Sequence, residues 1–375
     1  MESNFKLGLL DLPDNFYCKL NKPYLQKIKK VIKKNYGKEE ILRREIKTLF
    51  KEDISRTTLS TFLKGSTFLS LKRLKIFQSI FDLTALEKNV ISIKSSKSGL
   101  PISIKLPLKQ SKTLARLIGH LLGDGGIFDY SIYYFNKNET LINQFEKDSY
   151  EVFGKFKIEK ITNLDGTTRL RLPKITGKIL SLEKINFSRG KIPNFILKGS
   201  REIKAAFLRA IFDDEGSITN NEISIEMTNK NLIYTTATFL KEFEIEIKTI
   251  GSRKRDVYKR SYYYGIYGKA DLIKFHKQIG FNHPIKDKKL FRKINNYKIN
   301  QRKNNEARKE IMALLSQGEL KTRDLLNVLK IKSPCLSFHM KKLIKKDFVE
   351  RIPGKIDRDN KGKIVNIYED SWKLR

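Results

Sequence analysis

Cysteine is almost absent from this chain. Cys18 and Cys335 are the only two in 375 residues, too few for a disulfide framework and unable to form a CxxC zinc half-site. Histidine is nearly as scarce. His120, His276, His283 and His339 are scattered with no cysteine pair beside them, so nothing in their spacing supports a zinc centre. No apolar run approaches the roughly 20 residues that a membrane-spanning helix needs. The N-terminal stretch lacks a charged segment followed by an apolar one, so no signal peptide is expected. Together these absences lead us to expect a cytoplasmic, prokaryotic (archaeal) protein with no membrane partner.

Acidic residues are the other shortage. Asp and Glu number 41 against 77 Lys and Arg, a formal net charge of +36. Such an excess repels itself in the compact state and calls for a polyanionic partner. Nucleic acid fits, because Lys and Arg that neutralise phosphates release condensed counterions. The plainer alternative is a lysine-rich surface that is merely solvated.

The length allows two or three domains. Residues 1–85 read as short helices. One of them follows Ser55 and ends near Gly65, and another runs from Ser70 to Phe81. The pair resembles part of a helix-turn-helix, with a plain helical bundle as the alternative. Residues 86–109 read as strands or an extended linker. From 298 to 375 three helical segments are followed by two strand-like ones, 348–352 and 363–368, around a polar turn. The third helix is expected to start at Ser333 as N-cap, with Pro334 just inside. This pattern is a winged helix. It would present Ser337, Lys341 and Lys342 to a DNA major groove, unless it binds protein instead.

The centre, 110–297, repeats itself as two copies of about 110–200 and 201–297. Residues 115–127 and 206–218 match in residue type and order, which aligns Asp124 with Glu215. The same offset aligns Asn138 with Asn229, and the pattern implies two halves related by a pseudo-two-fold axis. Small residues recur every four positions, at Ala115, Gly119 and Gly123 and at Ala206 and Ala210. On helices, such stripes let two backbones approach closely. Each helix then ends in an acid followed by glycine. An acid is disfavoured at the negative end of a helix dipole, and two together more so, unless a hard divalent cation lies between them.

Residues 117–125 and 208–216 resemble the two LAGLIDADG motifs of homing endonucleases, and the likeness covers about half the chain. It implies an α+β fold in which a pseudo-two-fold αββαββα repeat forms a saddle. It also implies Mg2+ or Mn2+ held by Asp124 and Glu215, with the carbonyls of Gly123 and Asp214 as further ligands. A basic residue from each half is implied near the phosphate. Lys191 and Lys286 are the candidates, with Lys288 as rival to the second, and for each the alternative is a solvated lysine. Two departures stand out: Leu122 replaces the first motif acid, and His120 replaces an apolar residue. His120 reads as a packed, hydrogen-bonded histidine, with a catalytic role as the lesser alternative.

DNA contacts are expected from strands of both halves. In the first half, Arg169 and Arg171 alternate with Leu170 and Leu172, and Lys155 and Lys157 with Phe156 and Ile158. The second half offers Arg253, Lys254, Arg255, Lys259 and Arg260, while Glu222 and Glu226 sit awkwardly on one polar face. The resulting expectation is a monomeric, site-specific enzyme that cuts both strands of duplex DNA. Its rivals are a non-cleaving transcription regulator on the same scaffold and an intron-RNA maturase. An intein is not expected, since neither end carries a splicing nucleophile or a terminal His-Asn pair.

Overall fold

In the computed structural model the described residues are 5–81, 83, 85–182, 191–219, 222–254, 260–297, 306–358, 364–367 and 369–375. The chain divides into two compact units, Met1–Tyr297 and Lys298–Arg375.

In the first unit, one hydrophobic core runs from Leu7 to Leu290, so 1–85 and 110–297 share their interior. The N-terminal region holds the helices Lys22–Tyr36, Glu39–Phe50, Arg56–Leu63 and Leu71–Phe81. Asn21 accepts from the Tyr24 amide at 2.9 Å and Ser55 from the Thr58 amide at 3.0 Å, each closing a helix start. Gly65, at φ +76, allows the turn after the third helix. Helices are not all that this region contains. Tyr17–Leu20 is a strand, paired on one side with Leu69–Ser70 and on the other with Val90–Lys94. It alternates as a half-buried strand should, with Cys18 and Leu20 inside, but four residues beside a long helix are a short signal. The 86–109 segment is likewise anchored: Ile93 and Ile102 exchange backbone hydrogen bonds of 2.8 and 3.0 Å, and Leu108–Lys109 pairs with Lys6–Leu7.

The repeat is clear in the topology. Each half starts with a motif helix, Lys112–Leu122 or Arg201–Glu215. Each then builds a four-stranded antiparallel sheet of the same order. The first runs Gly125–Phe128, Ser131–Asn136, Thr168–Arg171, Glu159–Thr162. The second runs Gly216–Ile218, Ile223–Met227, Arg260–Ile266, Gly251–Lys254. Between the inner strand pairs lie the helices Glu139–Phe153 and Lys230–Glu242. Their caps correspond, since Asn138 accepts from the Leu141 amide and Asn229 from the Leu232 amide, both at 3.2 Å.

The motif helices cross in direct backbone contact. A Cβ on Gly119 would lie 2.7 Å from the Ala210 Cβ and 2.8 Å from the Phe207 carbonyl oxygen. One turn on, a Cβ on Gly123 would lie 2.8 Å from Asp214 Oδ2. The small-residue stripe is therefore a steric requirement of the crossing.

Among its described residues the second unit has three helices, Glu306–Leu315, Thr322–Leu329 and Ser333–Lys345, around Ile311, Leu325, Leu336, Met340 and Trp372. Ser333 is the first helical residue; Lys332 occupies the cap position and makes no side-chain cap bond. The strand Val349–Ile352 pairs with Ser371–Leu374, which also pairs with Leu320–Lys321. Ile356–Arg358 and Ile364–Ile367 pair with each other instead. The expected partner of the first strand was 363–368. The last strand wins because it buries Trp372, whose indole Nε1 donates to Thr322 Oγ1 at 2.9 Å. Residues 359–363 and 368 of the expected hairpin lie outside the described residues.

The crossing makes a sharp prediction. Gly to Ala inside a helix ordinarily stabilises by about 1 kcal/mol. Gly119→Ala should instead cost about 1–3 kcal/mol through overpacking in urea unfolding. Gly126→Ala, with nothing within 4 Å of its Cβ, should stay within about 0.5 kcal/mol. A stabilised Gly119→Ala would show that the helices do not touch there.

Candidate functional site

The motif helices end beside each other, and their last residues bring four carboxylates into one small region. Two residues past the end of the first helix, Asp124 is partly buried, and its Oδ2 accepts from Asn136 Nδ2 at 3.0 Å. Asp214 reaches across the crossing from the second helix. Its Oδ2 accepts from His120 Nδ1 at 2.9 Å, and its Oδ1 accepts from the Tyr134 hydroxyl at 2.8 Å and Asn136 Nδ2 at 3.4 Å. The side chains of both His120 and Asp214 are wholly buried. Asp213 turns the other way, accepting from the backbone amides of Asn282 at 3.0 Å and His283 at 2.9 Å. Glu215 completes the group.

Crowded acids in a poorly solvated place hold on to protons. Burial, then the charges of Asp214 and Glu215, push Asp124 up to about 7 against the relief from Lys286 and His120. Asp213 is pushed up to about 6, mainly by burial, while its backbone donors oppose the rise. Burial works against a charged His120, yet Asp214, helped by Asp213 and Asp148, keeps the imidazole above its ordinary value. Tyr134 is raised by burial and by Asp214, so it stays a neutral donor.

Of the two candidate lysines, the fold brings Lys286 to the acids. Its Nζ donates to the carbonyls of Phe212 at 3.2 Å, Asp213 at 2.5 Å and Asp214 at 3.2 Å, closing the last turn of the second motif helix. A cation there offsets the negative helix end. Burial lowers the ammonium's pKa, and all four acids resist that. The Asp214 carbonyl, expected as a metal ligand, thus already has a lysine donor. Lys191 is exposed just before the short helix Asn194–Leu197, and among the described residues it has no hydrogen bond or ion pair. Lys288 is exposed on the helix Pro284–Asn295.

Three side chains of the network, Asp213, Tyr134 and Asn136, were not anticipated from the sequence. The repeat itself carries the clue. At the matching offset Tyr134 and Asn136 face Ile225 and Met227, and Leu122 faces Asp213, so polar groups sit where the sister copy is apolar. Carboxylate oxygens dominate the site, and Asp124 stays raised despite Lys286 and His120, which suits a hard divalent cation. Among the described residues no three His, Cys, Asp or Glu side chains form a ready metal cage, so a cation here would need oxygens from solvent or substrate.

The outer sheet faces carry the expected basic residues, with changes. Arg169 and Arg171 share Glu159, at 3.0 and 3.3 Å. Lys155 and Lys157 are exposed but precede the strand, which begins only at Glu159. In the second half, Arg253 is paired with Glu226, Lys254 is exposed, and Arg260 donates to Ser252 at 2.8 Å. Arg253 and the Ser261 hydroxyl thereby occupy Glu226, which removes its awkwardness. Arg255 and Lys259 lie outside the described residues. In the second unit, Ser337, Lys341 and Lys342 are exposed on the third helix.

Residues 202–280 match the family model of the LAGLIDADG-like domain, and residues 305–351 match that of the bacterial regulatory protein, arsR family. A probable translation initiation factor IF-2 of Methanocaldococcus jannaschii is 29% identical over 262 residues, covering 63% of this chain and 22% of that protein. The chain therefore spans only about a fifth of that relative. An uncharacterized protein of the same archaeon is 24% identical over 191 residues, covering 47% of this chain and 72% of that one. Among solved structures, the homing endonuclease I-DmoI in complex with DNA and Mn aligns with a TM-score of 0.37 and 22% identity, over 45% of this chain and 96% of that one. Full-length DUF199/WhiA from Thermatoga maritima aligns with a TM-score of 0.36 and 16% identity, over 63% and 90%. Within an α+β fold, residues 202–280 thus match a LAGLIDADG-like domain and residues 305–351 a helix-turn-helix module of the arsR type.

The raised acids set a pH dependence. Between about pH 4 and 7 these two carboxyls hold more protons in the folded chain than in the unfolded one, so their contribution to stability falls as pH rises. His120, also raised, acts in the same direction, and His283, lowered by burial, opposes it. Metal-free protein should therefore melt at lower temperature at pH 7 than at pH 5, and Asp124→Asn should fall less steeply. Parallel melting curves for the two proteins would mean that Asp124 is not under this strain.

Proposed function

We propose that this chain is a site-specific endonuclease that grips duplex DNA with the outer faces of its two sheets and cuts both strands at the motif-helix ends. The reading is carried by the mutual influence of the acids at the helix ends: burial, and then the charges of Asp214 and Glu215, push Asp124 up to about 7. The resemblance of both motifs to those of homing endonucleases supports the same reading, as does the family match over 202–280. A net charge of +36 provides the attraction for phosphate.

Magnesium or manganese held by Asp124 and Glu215 would supply Lewis-acid polarisation of the scissile phosphate and acidify a bound water. The chain's own groups do the positioning. Asn136 fixes one oxygen of Asp124, and among the described residues the other has no hydrogen-bond donor. His120 and Tyr134 pin Asp214, which keeps the two helix ends in register. Lys286 occupies the helix-end carbonyls, so its ammonium is a fixed cation behind the acids. Lys191, exposed and unengaged among the described residues, is the lysine available to a phosphate from the first half.

A second reading is a DNA-binding regulator that does not cut. The arsR-family match over 305–351 favours it, because that module adds a recognition helix bearing exposed Lys341 and Lys342.

The two readings separate in one experiment. Duplexes selected from a random pool by the wild-type chain should be cut in Mg2+. Asp124→Asn and Glu215→Gln should each bind those duplexes within about tenfold of wild type and cut them more than about a hundredfold slower. Tight binding with no cutting by the wild type in Mg2+ or Mn2+ would establish the regulator instead.

A further inference from the structure

Both sheets carry an arginine on the outer face that is held by a glutamate and stacked over a tyrosine. In the first sheet, Arg171 donates Nη1 to Glu159 at 3.3 Å and lies 5.7 Å from the Tyr133 ring centre. In the second, Arg253 donates Nε to Glu226 at 2.8 Å, engages its other oxygen through Nη2, and lies 5.6 Å from the Tyr263 ring centre. A guanidinium has five N–H donors in a rigid fork. Among the described residues, Arg171 has no partner at Nε and Nη2 on one edge, and Arg253 has none at Nη1 or for the second Nη2 hydrogen. Either edge matches guanine O6 and N7 bidentately. A side chain already held in place loses less entropy on binding.

The two clamps do not sit in equivalent rows. Gly125 faces Tyr134 and Gly216 faces Ile225, so Tyr134 and Ile225 correspond. Tyr134 faces Leu170 and Ile225 faces Tyr264, so Leu170 corresponds to Tyr264 and Arg171 to Gly265. Arg253, however, faces Ser261, four residues from Gly265 along the strand. Four residues of antiparallel strand span about 13 Å, the length of three to four base pairs.

We propose that Arg171 and Arg253 are the guanine-reading residues of the two halves, and that their unequal rows make the target asymmetric. The guanines they read then lie at distances from the target's centre that differ by three to four base pairs. This rests on the DNA-binding reading above and adds the base, the residues and the spacing.

Affinity selection from a random duplex pool in EDTA tests it without any cutting. The wild type should show one guanine preference in each half-site, at unequal distances from the centre. Arg171→Ala should erase one preference and Arg253→Ala the other, each by roughly 5- to 100-fold, leaving the opposite half unchanged. Arg171→Lys and Arg253→Lys should recover affinity without recovering the preference, because an ammonium lacks the fork. Guanine preferences that survive both alanine substitutions, or that lie at equal distances, would overturn the assignment while leaving DNA binding intact. A wild type that selects no duplex would overturn the DNA-binding reading itself, and this inference with it.

Discussion

The crossing of the two motif helices is the constraint on which the rest depends. Gly119 against Ala210 and Gly123 against Asp214 leave no room for another methyl group, so the helix axes meet at backbone distance. That closeness brings two helix ends, each followed or closed by an acid, into one place. It also orients the two sheets, because each sheet's first strand follows closely on its motif helix: Gly216 comes directly after Glu215, and only Gly123 and Asp124 separate Leu122 from Gly125. A wider crossing would separate the acids and splay the sheets together.

Packing acids at the negative ends of two helices is costly, and the surrounding groups offset it unevenly. His120, Tyr134 and Asn136 are all donated by the first half, and Lys286 by the second. Asp214 and Asp213 end up well supplied with donors, whereas Asp124 retains its proton near neutral pH. The pseudo-symmetry of the backbone is thus filled with unlike side chains. The sheets repeat this asymmetry on a larger scale, in the placement of their glutamate-held arginines.

Much of this was legible in the one-dimensional pattern. The offset that pairs Asp124 with Glu215 also pairs two helix-capping asparagines that make the same bond. The alternation around Leu170 and Leu172 placed Arg169 and Arg171 on the outer face. Short or contextual signals were lost. Tyr17–Leu20 gives too few residues for a period to emerge, and the terminal strand around Trp372 becomes evident only once its burial is known.

Residue order by itself determined the repeat, the helix-end acids, the basic surface and the small-residue stripe, because each is a periodicity or a composition that local chemistry imposes. Tertiary structure alone decided that Lys286, more than seventy residues beyond the helix it caps, reaches the helix-end carbonyls and the acids. It alone joined Asp214 to His120, Tyr134 and Asn136 and placed the arginine clamps in different rows. Those are contacts between distant segments, and their distances depend on how closely two helices and two sheets pack, a quantity that no single stretch of chain contains.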